Sequence, residues 1–233
     1  MRIVFVAIIS VLFLSSCFNN IKEGEGDPQK FQRTITDFTK IKLNIPAELY
    51  VIQGAEFSCT IETHPNLENY FNTDVKDQEL TISSKGNFTS QKLDIYITMP
   101  FIEQLSLSSS GNIYCKNEIS NKDLNLNIDG SGNITMNKIV IRNLKGTING
   151  SGNIKLVSGN AMDAVYSISG SGGIEADNID CKSLKADISG SGNITCYVAE
   201  DLDVSISGSG SLTYKGQPKV KEKVTGSGKV SSF

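Results

Sequence analysis

The sequence predicts an all-β fold: a right-handed parallel β-helix with about 18–21 residues per coil in the C-terminal two-thirds of the chain. Three observations carry this expectation. First, one short phrase occurs seven times, at 109–113, 130–134, 150–154, 170–174, 190–194, 208–212 and 226–230, with Gly130-Ser131-Gly132-Asn133-Ile134 as its fullest form. Its second glycines, from Gly111 to Gly228, step by 21, 20, 20, 20, 18 and 18 residues, the period of a solenoid. Second, apolar residues alternate on both sides of each phrase, as in Leu124, Leu126 and Ile128 before it and Ile134 and Met136 after it. That is the pattern of two half-buried strands meeting at a glycine corner. Third, a coil this short cannot hold two strands and a crossover helix. Its strands must therefore pair with their counterparts one coil away, and parallel crossovers are almost always right-handed.

Taken in order, residues 1–16 read as a leader. Arg2 opens it and Ile3 to Leu14 is almost wholly apolar, too short for a permanent membrane span. Leu14-Ser15-Ser16-Cys17 then resembles a bacterial lipoprotein signal, which implies that Cys17 is lipidated and begins the mature chain. Asn19 is not the aspartate that often retains lipoproteins in the inner membrane, so the outer membrane is expected, facing either the periplasm or the exterior. Residues 17–30 form the lipidated cysteine and a linker, with Lys22 to Asp27 read as a flexible acidic spacer. Residues 31–233 read as one β-helix domain. Within it, 31–105 are irregular N-terminal coils that keep strand patterning (Ile41, Leu43, Ile45; Leu93, Ile95, Ile97) and act as a cap, and 106–233 hold the repeats. His64 to Tyr70 is the one short helical turn expected.

The leader pattern, Phe38-Thr39-Lys40-Ile41-Lys42-Leu43, Leu80-Thr81-Ile82, Leu105-Ser106-Leu107 and the repeated corners together resemble the auto-transporter adhesin "head GIN" domains of exported bacterial proteins, over roughly residues 31–230. The resemblance implies a β-helix and an adhesin or cell-envelope role. It supplies no catalytic or ligand residues. No set of strands for a translocating barrel is evident, so a self-transporting mechanism is not expected.

Several chemistries lack a signal. Without Arg2 the chain has 21 basic and 25 acidic residues, or −4, so no nucleic-acid partner is expected. The Gly-x-Gly phrases precede strands rather than a helix and lack a following Lys-Ser/Thr, so they do not read as phosphate loops. Calcium repeats need an aspartate in every turn, and only Asp129 lies near a corner; neither metal nor cofactor is expected. His64, the sole histidine, stands beside Pro65 and reads as a solvent-facing turn, and the carboxylates are scattered, so the protein is not expected to be an enzyme. Cys59, Cys115, Cys181 and Cys196 read as buried free thiols, with Cys181–Cys196 the one repeat-region pair that register leaves open.

Outward positions beside the corners form two polar strips, Asp129, Asn149, Ser169, Ser189 and Ser207 on one side, and Tyr114, Thr135, Lys155, Glu175 and Thr195 on the other. Flat strips of this kind suit an extended glycan or protein partner, with Tyr114 the clearest outward aromatic. The leading expectation is a noncatalytic, lipid-anchored adhesin or display module. A structural envelope protein that self-associates as a homo-oligomer comes second, and a polysaccharide-active enzyme third.

Overall fold

The computed structural model describes residues 21–233, so the leader and Cys17 lie outside the described residues. Two short strands, β1 (Lys22–Glu23) and β2 (Gln29–Arg33), precede β3 (Lys40–Leu43), β4 (Glu48–Gln53) and β5 (Ser58–Thr63). A 3₁₀ helix, Pro65–Tyr70, leads into β6 (Phe71–Lys76) and β7 (Glu79–Ser84), followed by β8 (Phe88–Thr89), β9 (Leu93–Met99) and β10 (Gln104–Leu107). The repeats supply β11 (Asn112–Gly130), β12 (Asn133–Gly150), β13 (Asn153–Leu156), β14 (Gly159–Gly170), β15 (Gly173–Gly190), β16 (Asn193–Gly208), β17 (Ser211–Lys215), β18 (Lys219–Gly226) and β19 (Lys229–Ser232). They stack as parallel coils into a β-solenoid of about 6 turns, as the sequence period predicts.

Register lines up the apolar columns. Ile113, Ile134, Ile154, Ile174, Ile194 and Leu212 pair in sequence on one side of the corner, and Ile128, Ile148, Ile168, Ile188 and Ile206 on the other. All are buried, and each such side chain removed from water contributes roughly 1.5–3 kcal/mol before entropy is counted. Gly146, which interrupts the inward apolar column of its strand, lies in register with Tyr166, and a methyl group there would sit 3.2 Å from the Tyr166 ring. Missing volume in one coil thus accommodates surplus volume in the next.

The two glycines of the Gly-Ser-Gly corners, from Gly130 onward, serve different ends. The first adopts positive φ, as at Gly150 (137°), a region closed to most side chains. The second, as at Gly152, has no such angle, but a Cβ there would strike the Gly132 carbonyl of the preceding coil. One residue is needed for its backbone freedom and the other for close approach.

The cap is more ordered than irregular coils suggest. β3 pairs in parallel with β10, and β4 with β11, so the solenoid sheets continue below the first glycine phrase. β5 then pairs antiparallel with β9, and β6 with β7, so the parallel ladder ends here in antiparallel strands. The 3₁₀ helix follows β5, with Leu67 fully buried. Two expectations fail here. His64 is not solvent-facing: it is 7% exposed, and its Nδ1 lies 2.6 Å from the Gly26 carbonyl oxygen. Residues 22–27 are not a free spacer, because β1 pairs with β8 and Asn66 bonds to Glu23 and Glu25. In both cases composition suggested solvent, while backbone pairing to distant residues decided the outcome.

Candidate functional site

The corner positions both polar strips. Residues alternate in and out along each strand, so the outward residue flanking each Ile column falls in register with its counterparts. Asp129, Asn149, Ser169, Ser189 and Ser207 accordingly form one straight row of exposed side chains. Four spacings of about 4.8 Å make it about 19 Å long. Asn149 Nδ2 donates to Asp129 Oδ1 at 2.8 Å, which fixes the first two members. Asn149, Ser169, Ser189 and Ser207 line a shallow hollow of about 310 Å³. Ser167, Asp187 and Ser205 share that hollow and were not among the expected residues. Their signal was available, since they stand two positions earlier in each repeat with the same outward parity.

Tyr114, Thr135, Lys155, Glu175 and Thr195 also form a row. Its chemistry is mixed. Lys155 Nζ lies 2.8 Å from Glu175 Oε2, so these charges satisfy each other, and this contact raises the Lys155 ammonium above its ordinary range. Tyr114 is only half exposed. Its ring stacks on Tyr50 at 5.4 Å, and Tyr50 stacks on Tyr96 at 5.1 Å, giving a three-ring column across adjacent strands. Lys116 Nζ sits 4.3 Å from the Tyr50 ring centre. Tyr96 donates to Asp94 and Glu62, and burial, then the Asp94 charge, pushes its phenol up to about 12. The sequence offered Tyr114 alone, because Tyr50 and Tyr96 lie outside the repeats and only strand pairing brings the three together.

Between the two strips runs an asparagine ladder. Asn133 Nδ2 donates to Asn112 Oδ1 at 2.9 Å, and Asn153 Nδ2 to Asn133 Oδ1 at 3.0 Å. The ladder stops at Gly173 and resumes where Ser211 Oγ donates to Asn193 Oδ1 at 2.6 Å. The corner serines join through the backbone, as where Ser151 N–H donates to the Gly130 carbonyl at 3.0 Å. These bonds make the corner stiff rather than reactive.

A larger groove of about 760 Å³ lies on a different side of the coil, over Val140, Met162 and Tyr197, with Arg142, Asp180 and Lys182 among its lining residues. Beside it the 18-residue spacing takes effect. Asp177 to Ile179 have no partners in the next coil, so Lys215 reaches past that coil to Asp177 at 2.7 Å. That hydrogen bond holds the Asp177 carboxyl below its ordinary value.

Cys59, Cys115, Cys181 and Cys196 are buried and free, and Cys181 follows Ile141 and Ala161 in its column. Among the described residues, no three His, Cys, Asp or Glu side chains are grouped to hold a metal, and no helix is long and apolar enough to cross a membrane.

Residues 37–218 match the family described as "Putative auto-transporter adhesin, head GIN domain". Among solved structures, a "putative adhesin" from Bacteroides fragilis is 25% identical with a TM-score of 0.85, the match covering 91% of this chain and 99% of that one. A "putative adhesin" from Parabacteroides merdae is 26% identical with a TM-score of 0.76, covering 91% and 98%. A "putative lipid binding protein" from Parabacteroides distasonis is 23% identical with a TM-score of 0.77, again covering 91% and 98%, and shares the fold. No curated protein matches the chain.

Proposed function

Because the chain belongs to the head GIN adhesin family, we propose that it is a noncatalytic, lipid-anchored display module of the bacterial cell envelope, binding an extended glycan or protein along the Asp129–Ser207 row. The adhesin names of the Bacteroides fragilis and Parabacteroides merdae relatives support the binding role. The observation that carries the choice of row is its hollow. Hydroxyl and amide groups from Asn149, Ser169, Ser189 and Ser207 recur there once per coil on a rigid backbone. A polymer whose repeat is close to the strand spacing can meet the same groups at each step, and many weak polar contacts then add along its length. Short hydroxyl side chains also lose little rotamer entropy on binding.

Lipid attachment at Cys17 and an outer-membrane location belong to the same reading and rest on the leader pattern. The test is saturable binding of the purified protein to arrays of extended glycans and matrix proteins. Ser169→Arg and Ser189→Arg point outward and leave the core untouched, so they should weaken binding at least tenfold, by analogy with truncating a well-placed hot spot (about 1.4 kcal/mol per tenfold). Binding that persists unchanged in both variants would move the site elsewhere. No binding on any array would remove the adhesin reading.

A further inference from the structure

The segment that composition marks as a spacer is a built clamp. Lys22 N–H donates to the Asn87 carbonyl at 3.0 Å, and Gly24 N–H to the Thr89 carbonyl at 2.9 Å. Asn66 closes both sides: its Oδ1 accepts from Glu25 N–H at 2.9 Å and its Nδ2 donates to the Glu23 carbonyl at 2.7 Å. A carbonyl can only accept, so the 2.6 Å contact between His64 Nδ1 and Gly26 makes Nδ1 the protonated nitrogen. The two glycines are required. A side chain at Gly24 would collide with the His64 ring, and Gly26 holds a φ of 80°. The next strand continues the hold, since β2 pairs with β5 and Arg33 Nη2 donates to the Glu68 carbonyl at 2.6 Å. Strap and β2 are thus both pinned to the 3₁₀ helix Pro65–Tyr70, at the solenoid end opposite β18.

This has a geometric consequence if, as proposed above, Cys17 carries the lipid. Lys22 is the fifth residue after Cys17, and five residues of extended chain span at most about 18 Å. We propose that the bilayer surface is the partner of the cap: the strap holds the cap at the membrane, and the repeat coils are the distal part. Eight strand pairings separate β7 at the cap from β18, a distance of about 38 Å. A free linker over residues 17–30 would instead let either end approach the lipid.

The experiment uses the full lipidated chain in phosphatidylethanolamine/phosphatidylglycerol vesicles carrying a headgroup acceptor dye. Single donor labels are placed at Lys85→Cys, beside the strap, or at Lys223→Cys on β18; both positions are exposed, whereas the four described cysteines are buried. Energy transfer should be several-fold stronger from position 85 than from 223. Asn66→Ala, with or without Gly24→Val, should reduce transfer from position 85, and should expose the Glu25 amide to hydrogen exchange while the repeat amides stay protected. Equal transfer from the two labels, or no change on loosening the strap, overturns the orientation. Mass spectrometry of the same sample separates the two readings: an unacylated Cys17 overturns the anchor and the orientation with it, whereas an acylated chain with equal transfer overturns the orientation alone.

Discussion

At the residue scale, the asparagine ladder contains its own test. Gly173 stands in register between Asn153 and Asn193, and its Cβ position lies 3.0 Å from Asn153 Oδ1, so the Asn153 amide must shift by a few tenths of an ångström to admit a side chain. Its φ is not positive, so a side chain meets no backbone strain. Gly173→Asn should join the two halves of the ladder and remove a flexible residue from the unfolded chain. About 1 kcal/mol of added stability is expected, or about 2–4 °C in Tm, checked by thermal unfolding. The thiols give a second prediction. Burial pushes Cys59 and Cys181 up to about 11, and Cys115 and Cys196 to about 12, whereas an unfolded thiol titrates near about 8.5. Between those values the unfolded chain releases protons that the folded chain keeps, so stability is full below about pH 8.5 and falls as pH rises above it. Urea midpoints at pH 7.5 and 9.5 should show this loss, and Cys115→Val should make it shallower. The burial of the cysteines was legible from their inward parity. The fate of His64 was not, because the Gly26 carbonyl that holds it is 38 residues away.

At the element scale, the strands of the repeats were readable because each coil restates the same parity. The tyrosine column was not, since Tyr50 and Tyr96 belong to strands without the glycine phrase. β18 departs from the pattern in an informative way. Glu222 occupies the inward column that Leu126, Gly146, Tyr166, Ala186 and Val204 fill in earlier coils, and Lys219, Lys221 and Lys223 alternate with it on the outward side. Every residue of this strand is exposed. An inward charge and flanking lysines are how edge strands resist pairing with another chain. This composition disfavours self-association through β18. Glu222→Val, which completes an apolar column beside Val220 and Val224, should convert the protein to a concentration-dependent oligomer in sedimentation velocity. Oligomerisation of the unmodified protein through this strand would contradict the argument.

At the scale of the whole molecule, the solenoid is a rigid rod with distinct ends: a cap closed by antiparallel strands and the 3₁₀ helix, and a last coil edged with charge. A display module outside the cell should be lost when intact cells are treated with an impermeant protease, while a periplasmic control survives. Protection until lysis would turn the search to periplasmic partners.

The sequence by itself determined the all-β class, the coil length, the inward columns and the two outward rows. All follow from a short period repeated until each residue's neighbour is its own counterpart, so local pattern and tertiary contact coincide. Where the period is absent or shortens, they separate. Only the tertiary structure decided that residues 22–27 are a clamp, that His64 is buried, that three tyrosines stack, and that Asp177 answers to Lys215. Each depends on a partner that no spacing in the chain announces, brought near by the pairing of strands distant in sequence.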